Sequence, residues 1–98
     1  MRQFMIEFRI PQPMTEEFAG LIPAQRARVS ELMAEGRMLN YSLSMDRAKL
    51  WTVMVGESSA SVRRLVRSLP LTPYMEWEMS ELMFHNALSL AMPAVSMN

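Results

Sequence analysis

Between Gln3 and Ile10 the chain alternates, with Phe4, Ile6, Phe8 and Ile10 on one side and Gln3, Met5, Glu7 and Arg9 on the other. A period of two predicts a strand that buries Phe4, Ile6 and Phe8, and Pro11 ends it. After Pro11-Gln12-Pro13, Thr15 is placed to cap a helix whose first turn carries Glu16 and Glu17, where acidic side chains complement the helix dipole. Phe18, Leu21, Ile22, Val29, Leu32 and Met33 then keep the three-and-four spacing of a buried stripe, and Gly36 stands at the expected C-terminal cap. Pro23 interrupts that stripe. Its missing amide predicts a kink, or a short helix followed by a longer one from about Ala24.

Alternation returns over residues 38–45, with Leu39, Tyr41, Leu43 and Met45 against Met38, Asn40, Ser42 and Ser44. The polar connection 46–49 leads into a second apolar run, 50–55, so the pair predicts a hairpin. Ser58 or Ser59 caps a second helix with the stripe Val62, Leu65, Val66 and Leu69, its outer face holding Arg63, Arg64 and Arg67, and Pro70 stops it. Met75, Trp77 and Met79 alternate with Glu76, Glu78 and Ser80 in a fourth strand that extends to about Phe84. The order strand, helix, strand, strand, helix, strand predicts an α+β ferredoxin-like fold, βαββαβ. Its antiparallel four-stranded sheet carries two helices on one face. Residues 1–86 form the single domain, and residues 87–98 form an uncharged tail that either docks on a partner subunit or is disordered.

With 98 residues there is room for one core. The chain has no cysteine, so no disulfide supports that core, and association with a second copy is the expected source of further burial. Ten basic residues balance ten acidic ones, which argues against nucleic acid and anionic membrane partners. No apolar run approaches the roughly 18 residues needed to cross a bilayer. The start, Met1-Arg2-Gln3-Phe4, goes straight into the strand pattern and lacks the layout of a signal peptide, so a cytoplasmic address is expected. Twelve methionines point to an adaptable core or pocket lining.

Candidate chemistry is sparse. Glu7, alternating with core residues, is a candidate base, a role that burial would favour and Arg9 would oppose, with a cross-strand or intersubunit salt bridge as the plainer role. His85 is a candidate proton shuttle or an ordinary hydrogen-bonded residue. The Tyr74 and Tyr41 hydroxyls are candidate donors to an enolate oxygen, and both rings also suit simple packing. Glu78 shares a strand face with Glu76, either bracketing a substrate or lying solvated at a sheet edge. Trp51 and Trp77, with the methionines, either line an apolar pocket or pack in the core or an interface. The three arginines of the second helix read mainly as a solvated face. There is no nucleophile elbow, phosphate-binding glycine loop, dinucleotide fingerprint or metal-spaced histidine set, so neither metal nor cofactor is expected.

The segment Leu69-Pro70-Leu71-Thr72-Pro73-Tyr74-Met75 resembles the Leu-Pro-Leu-x-Pro-Tyr-Met signature of muconolactone isomerases, at the matching place before the last strand. The similarity runs from the first strand to about Asn86 and includes Glu35-Gly36 and His85. It implies a dimeric α+β barrel that assembles further, and a reaction that moves a proton between carbons of a lactone without cofactor or metal. The family pattern carries charge in the middle of the first helix and an arginine on the second strand; here those places are held by Ala24 and Gln25, followed by Arg26, and by Leu43. The expected function is a cofactor-independent isomerase of a small lactone or aromatic-pathway carbonyl compound. Glu7 or His85 would serve as base and Tyr74 as donor, with Arg9, Tyr41, Trp51, Trp77 and Glu78 around the substrate. A non-catalytic binding or assembly protein and a cofactor-free monooxygenase are the alternatives on the same fold.

Overall fold

The first alternating segment forms β1 (Arg2–Arg9), and its inward side chains Phe4, Ile6 and Phe8 are fully buried. The computed structural model describes residues 1–87. The expected tail therefore lies, but for its first residue, outside the described residues.

α1 (Glu16–Gly20) is capped by Thr15, whose Oγ1 accepts the Phe18 N–H at 3.2 Å. The helix stops at Leu21 and restarts as α2 (Ile22–Ala34), with Pro23 in the first turn. Of the two expectations for Pro23, the broken helix is realised. The restart comes earlier than Ala24 because first-turn amides have no intrahelical acceptor, so a proline costs nothing there. Gly36 ends α2 at φ 74°, with its N–H on the Met33 carbonyl and the Arg37 N–H on that of Leu32, the paired bonds of a Schellman cap.

The predicted strand over residues 38–45 shrinks to β2 (Ser42–Leu43) and an isolated bridge between Met38 and Met54. Asn40 is the reason. Its side-chain Oδ1 accepts the Val53 N–H at 2.8 Å, and its carbonyl accepts the Thr52 hydroxyl at 2.7 Å, so local side-chain bonds replace the ladder at this point. Tyr41 consequently sits off the regular strand. β3 (Lys49–Gly56) and β4 (Glu76–Leu82) flank β1, giving an antiparallel sheet of order β2-β3-β1-β4. α3 (Ser59–Arg67) opens with a reciprocal Ser58/Ser61 capping box, and a 3-10 turn (Thr72–Tyr74) leads into β4.

One core unites Phe4, Ile6 and Phe8 with Phe18, Val29 and Leu32 from the first helices and Val62 and Val66 from α3, so the helices share one face of the sheet. Trp77 packs on that side, its ring centroid 6.5 Å from Phe8, with the Arg63 guanidinium 5.7 Å over it. Arg63 remains exposed, as expected of the outer helix face, while its guanidinium lies over the Trp77 ring.

β3 and α3 approach closely at Gly56. A Cβ there would meet Val62 Cγ2 at 2.6 Å and Ser61 Oγ at 2.8 Å. Gly56→Ala is expected to cost about 1–3 kcal/mol through overpacking, read as a lowered urea midpoint with an unchanged slope.

Candidate active-site cleft

The sheet has two faces, and the candidate residues divide between them. Cross-strand register places Glu7 beside Trp51 on one side and Glu78 on the other, all on the face away from the helices. Trp51 Nε1 donates to Glu7 Oε1 at 3.1 Å, and an Arg9 nitrogen lies 3.7 Å from Glu7 Oε2. Arg9 also reaches Glu76 at 3.4 Å. Glu7, Arg9, Trp51 and Glu78 therefore form one cluster. Trp77 belongs to the opposite, helix-packed face. Tyr74 lies in the 3-10 turn and is 40% exposed, while His85 is half-buried three residues beyond β4.

On the helix side, a cleft of about 490 Å³ opens where β1 leaves the sheet. This volume suits a small molecule. Phe18 and Ile22 from the first helices, Leu43 and Leu50 from the hairpin, and Leu71 from the signature segment make its walls apolar. Its polar groups are Gln25, Arg26, Tyr41 and Arg47. No Asp, Glu or His is among the described residues that line it.

Gln25 is the centre of this site. It is 2% exposed although polar, because both ends of its amide are paired: Nε2 donates to the Tyr41 hydroxyl at 2.9 Å and Oε1 accepts the Leu71 N–H at 3.0 Å. Burial pushes the Tyr41 hydroxyl above its ordinary pKa, against the smaller opposite effect of the Gln25 bond, so the phenol is protonated at neutral pH and can donate.

Arg47 enters from the β2–β3 turn at φ 63°, a conformation that non-glycine residues rarely hold. The turn is tied by Ser44 and Asp46: the Ser44 hydroxyl donates to Asp46 Oδ1 at 2.6 Å, and the Ala48 N–H meets the same oxygen at 2.9 Å. These two bonds also hold the Asp46 carboxyl below its usual pKa, the Ser44 bond most. Gln12 Nε2 donates to the Arg47 carbonyl at 3.2 Å and joins the two lips of the cleft. Neither Arg26 nor Arg47 has an acidic partner within 4 Å among the described residues, whereas Arg2, Arg9, Arg28 and Arg37 all do.

The family model for muconolactone delta-isomerase matches residues 3–87. The chain belongs to the muconolactone delta-isomerase family. Among solved structures, it is similar to the crystal structure of muconolactone isomerase at 3.3 Å resolution, with a TM-score of 0.69 and 21% identity over 88% of this chain and 93% of that one. That identity carries the fold, the four-stranded antiparallel α+β arrangement described above. A comparison with curated protein sequences finds no match. Gln25 and Leu43 both line the cleft.

Of the residues singled out from the sequence as candidates for chemistry, only Tyr41 lines the cleft. Gln25, Arg26 and Arg47 were not among them. Gln25 did leave a signal, a polar residue at a position where the stripe Ile22, Val29 and Leu32 calls for an apolar one. Among the described residues no group of three or more His, Cys, Asp or Glu is placed to hold a metal, and no helix is long and apolar enough to cross a membrane.

Proposed function

We propose that this chain catalyses a cofactor-independent proton-transfer isomerisation of a small, largely apolar lactone or related carbonyl compound carrying a carboxylate. The reading rests on one observation above the rest: a Tyr41 hydroxyl anchored by a buried amide in an apolar cleft flanked by two arginines that have no acidic partner among the described residues. The arginines receive the carboxylate, and Tyr41 donates to the carbonyl oxygen as charge develops on it. A base removes a proton from the carbon next to the carbonyl, the electron pair moves onto oxygen as an enolate, and the proton is returned to a different carbon as the double bond shifts. The base is Glu7 or His85. Both stand outside the cleft of the single chain, so this function includes a homo-oligomer in which a second copy completes the site, in a cytoplasmic setting.

Binding without turnover is the second reading, favoured by the absence of carboxylate and imidazole from the described cleft lining. The deciding experiment incubates the protein with muconolactone and related enol lactones in deuterium oxide, following ultraviolet absorbance and deuterium incorporation, with Glu7→Gln and His85→Ala alongside. Exchange in the parent protein that falls about 10²-fold or more in one variant names the base. Saturable binding with no exchange selects the binding reading, and turnover that requires oxygen selects the monooxygenase.

A further inference from the structure

We infer that Gln25 is a positioning residue that fixes the direction of the Tyr41 proton, making the inner wall of the cleft a hydrogen-bond donor that takes a carbonyl or enolate oxygen. This deepens the proposed function and rests on the cleft being the substrate site.

The direction follows from an obligatory donor. Leu71 offers only its backbone N–H, so the Gln25 atom 3.0 Å from it is the carbonyl oxygen. The other end of the amide must then be Nε2, and at 2.9 Å from Tyr41 it makes the phenol oxygen an acceptor. A phenol has one proton. With its oxygen already accepting from Gln25, that proton is free to point into the cleft. The amide is held at both ends and shielded from water, so a flip would set two donors against each other at Leu71 and leave a buried N–H without a partner. The same Leu71 bond ties the signature segment to α2, so the sequence feature that marks the family also sets the donor's aim. The remaining charged groups that line the cleft are Arg26 from α2 and Arg47 from the β2–β3 turn; α1 and β3 contribute apolar side chains.

Gln25→Glu tests this with almost no change of shape. A carboxylate still accepts the Leu71 N–H, but it cannot donate to Tyr41, so the phenol turns and donates to it. The chain has two tyrosines, so in a Tyr74→Phe background the alkaline absorbance of tyrosinate reports Tyr41 alone. Gln25→Glu is expected to raise the midpoint of that titration by about one pH unit or more, which is at least about tenfold less tyrosinate at a given pH. An unchanged or lowered midpoint overturns the assignment. A second measurement needs no folded Gln25 variant. In the ¹⁵N-labelled parent protein the Gln25 side-chain amide protons are expected to exchange slowly with solvent, and Tyr41→Phe to speed that exchange; fast exchange in the parent overturns the inference too. Neither readout uses a substrate, so a failed lactone assay and a failed Gln25 assignment are separate results.

Discussion

Tyr41→Phe is expected to lower the rate of lactone deuterium exchange about 10²-fold while leaving KM within a few-fold of the parent value. The magnitude is that of removing one preorganised donor from a site where an oxyanion develops. The asymmetry between the two constants follows from where the bond matters. A neutral carbonyl gains little from a phenol it could replace with water, whereas an enolate gains much, so the loss falls on kcat. Stability responds as well, because the variant leaves Gln25 Nε2 buried without its acceptor, at a cost of about 1–3 kcal/mol. In a domain of this size each kcal/mol lowers Tm by about 4–8 °C. Circular dichroism at 25 °C checks that the fold survives. If kcat is unchanged while Tm falls, Tyr41 is a packing residue and the proposed chemistry must lie elsewhere.

The sequence made the framework readable because its signals were strictly periodic. Phe4, Ile6 and Phe8 alternate without a break, Thr15 and Ser58 cap the helices that follow them, and Gly36 holds the left-handed residue of a Schellman cap. Alternation failed over residues 38–45. The pattern there is regular, yet the Asn40 side chain competes for the Val53 amide and ends the ladder, a tertiary choice that hydrophobic periodicity does not encode.

The candidate site was harder to read for a related reason. A strand pattern states which residues share a face, and it did group Glu7 with Arg9 and Glu76 with Glu78. It says nothing about groups brought together from a helix, an irregular segment and a turn. Gln25, Tyr41 and Leu71 meet from residues up to 46 positions apart in sequence. Arg47 carries no sequence signal beyond lying in a polar connection; its place in the cleft lining emerges only from the folded β2–β3 turn, which the Ser44 and Asp46 bonds tie. Within the family segment the sequence singles out Tyr74, whereas it is Leu71 that lines the cleft and meets Gln25. That contact is made by the Leu71 backbone amide, which no side-chain pattern marks, and Tyr74 is not among the residues that line the cleft.

Arg47→Ala is expected to raise KM for a carboxylate-bearing lactone about 10- to 100-fold with kcat little altered. This is the equivalent of losing one charge-assisted hydrogen bond, about 1.5–3 kcal/mol. A guanidinium that receives the proposed carboxylate would meet a charge that is the same in the ground state and the transition state, so its loss would be uniform binding and would appear in KM. Arg26→Ala, on the facing helix, should act in the same direction. The methyl ester of the same lactone supplies the control. It has no charge to lose, so the parent protein should bind it as poorly as the Arg47→Ala variant binds the acid, and the substitution should leave its KM nearly unchanged. Raising the salt concentration should weaken binding of the acid in the parent protein and affect the ester little, because a partly exposed ion pair is screened. Equal losses for acid and ester would mean that Arg47 shapes the cleft by packing, and the substrate would then be an uncharged carbonyl compound held by Tyr41 and the apolar walls alone.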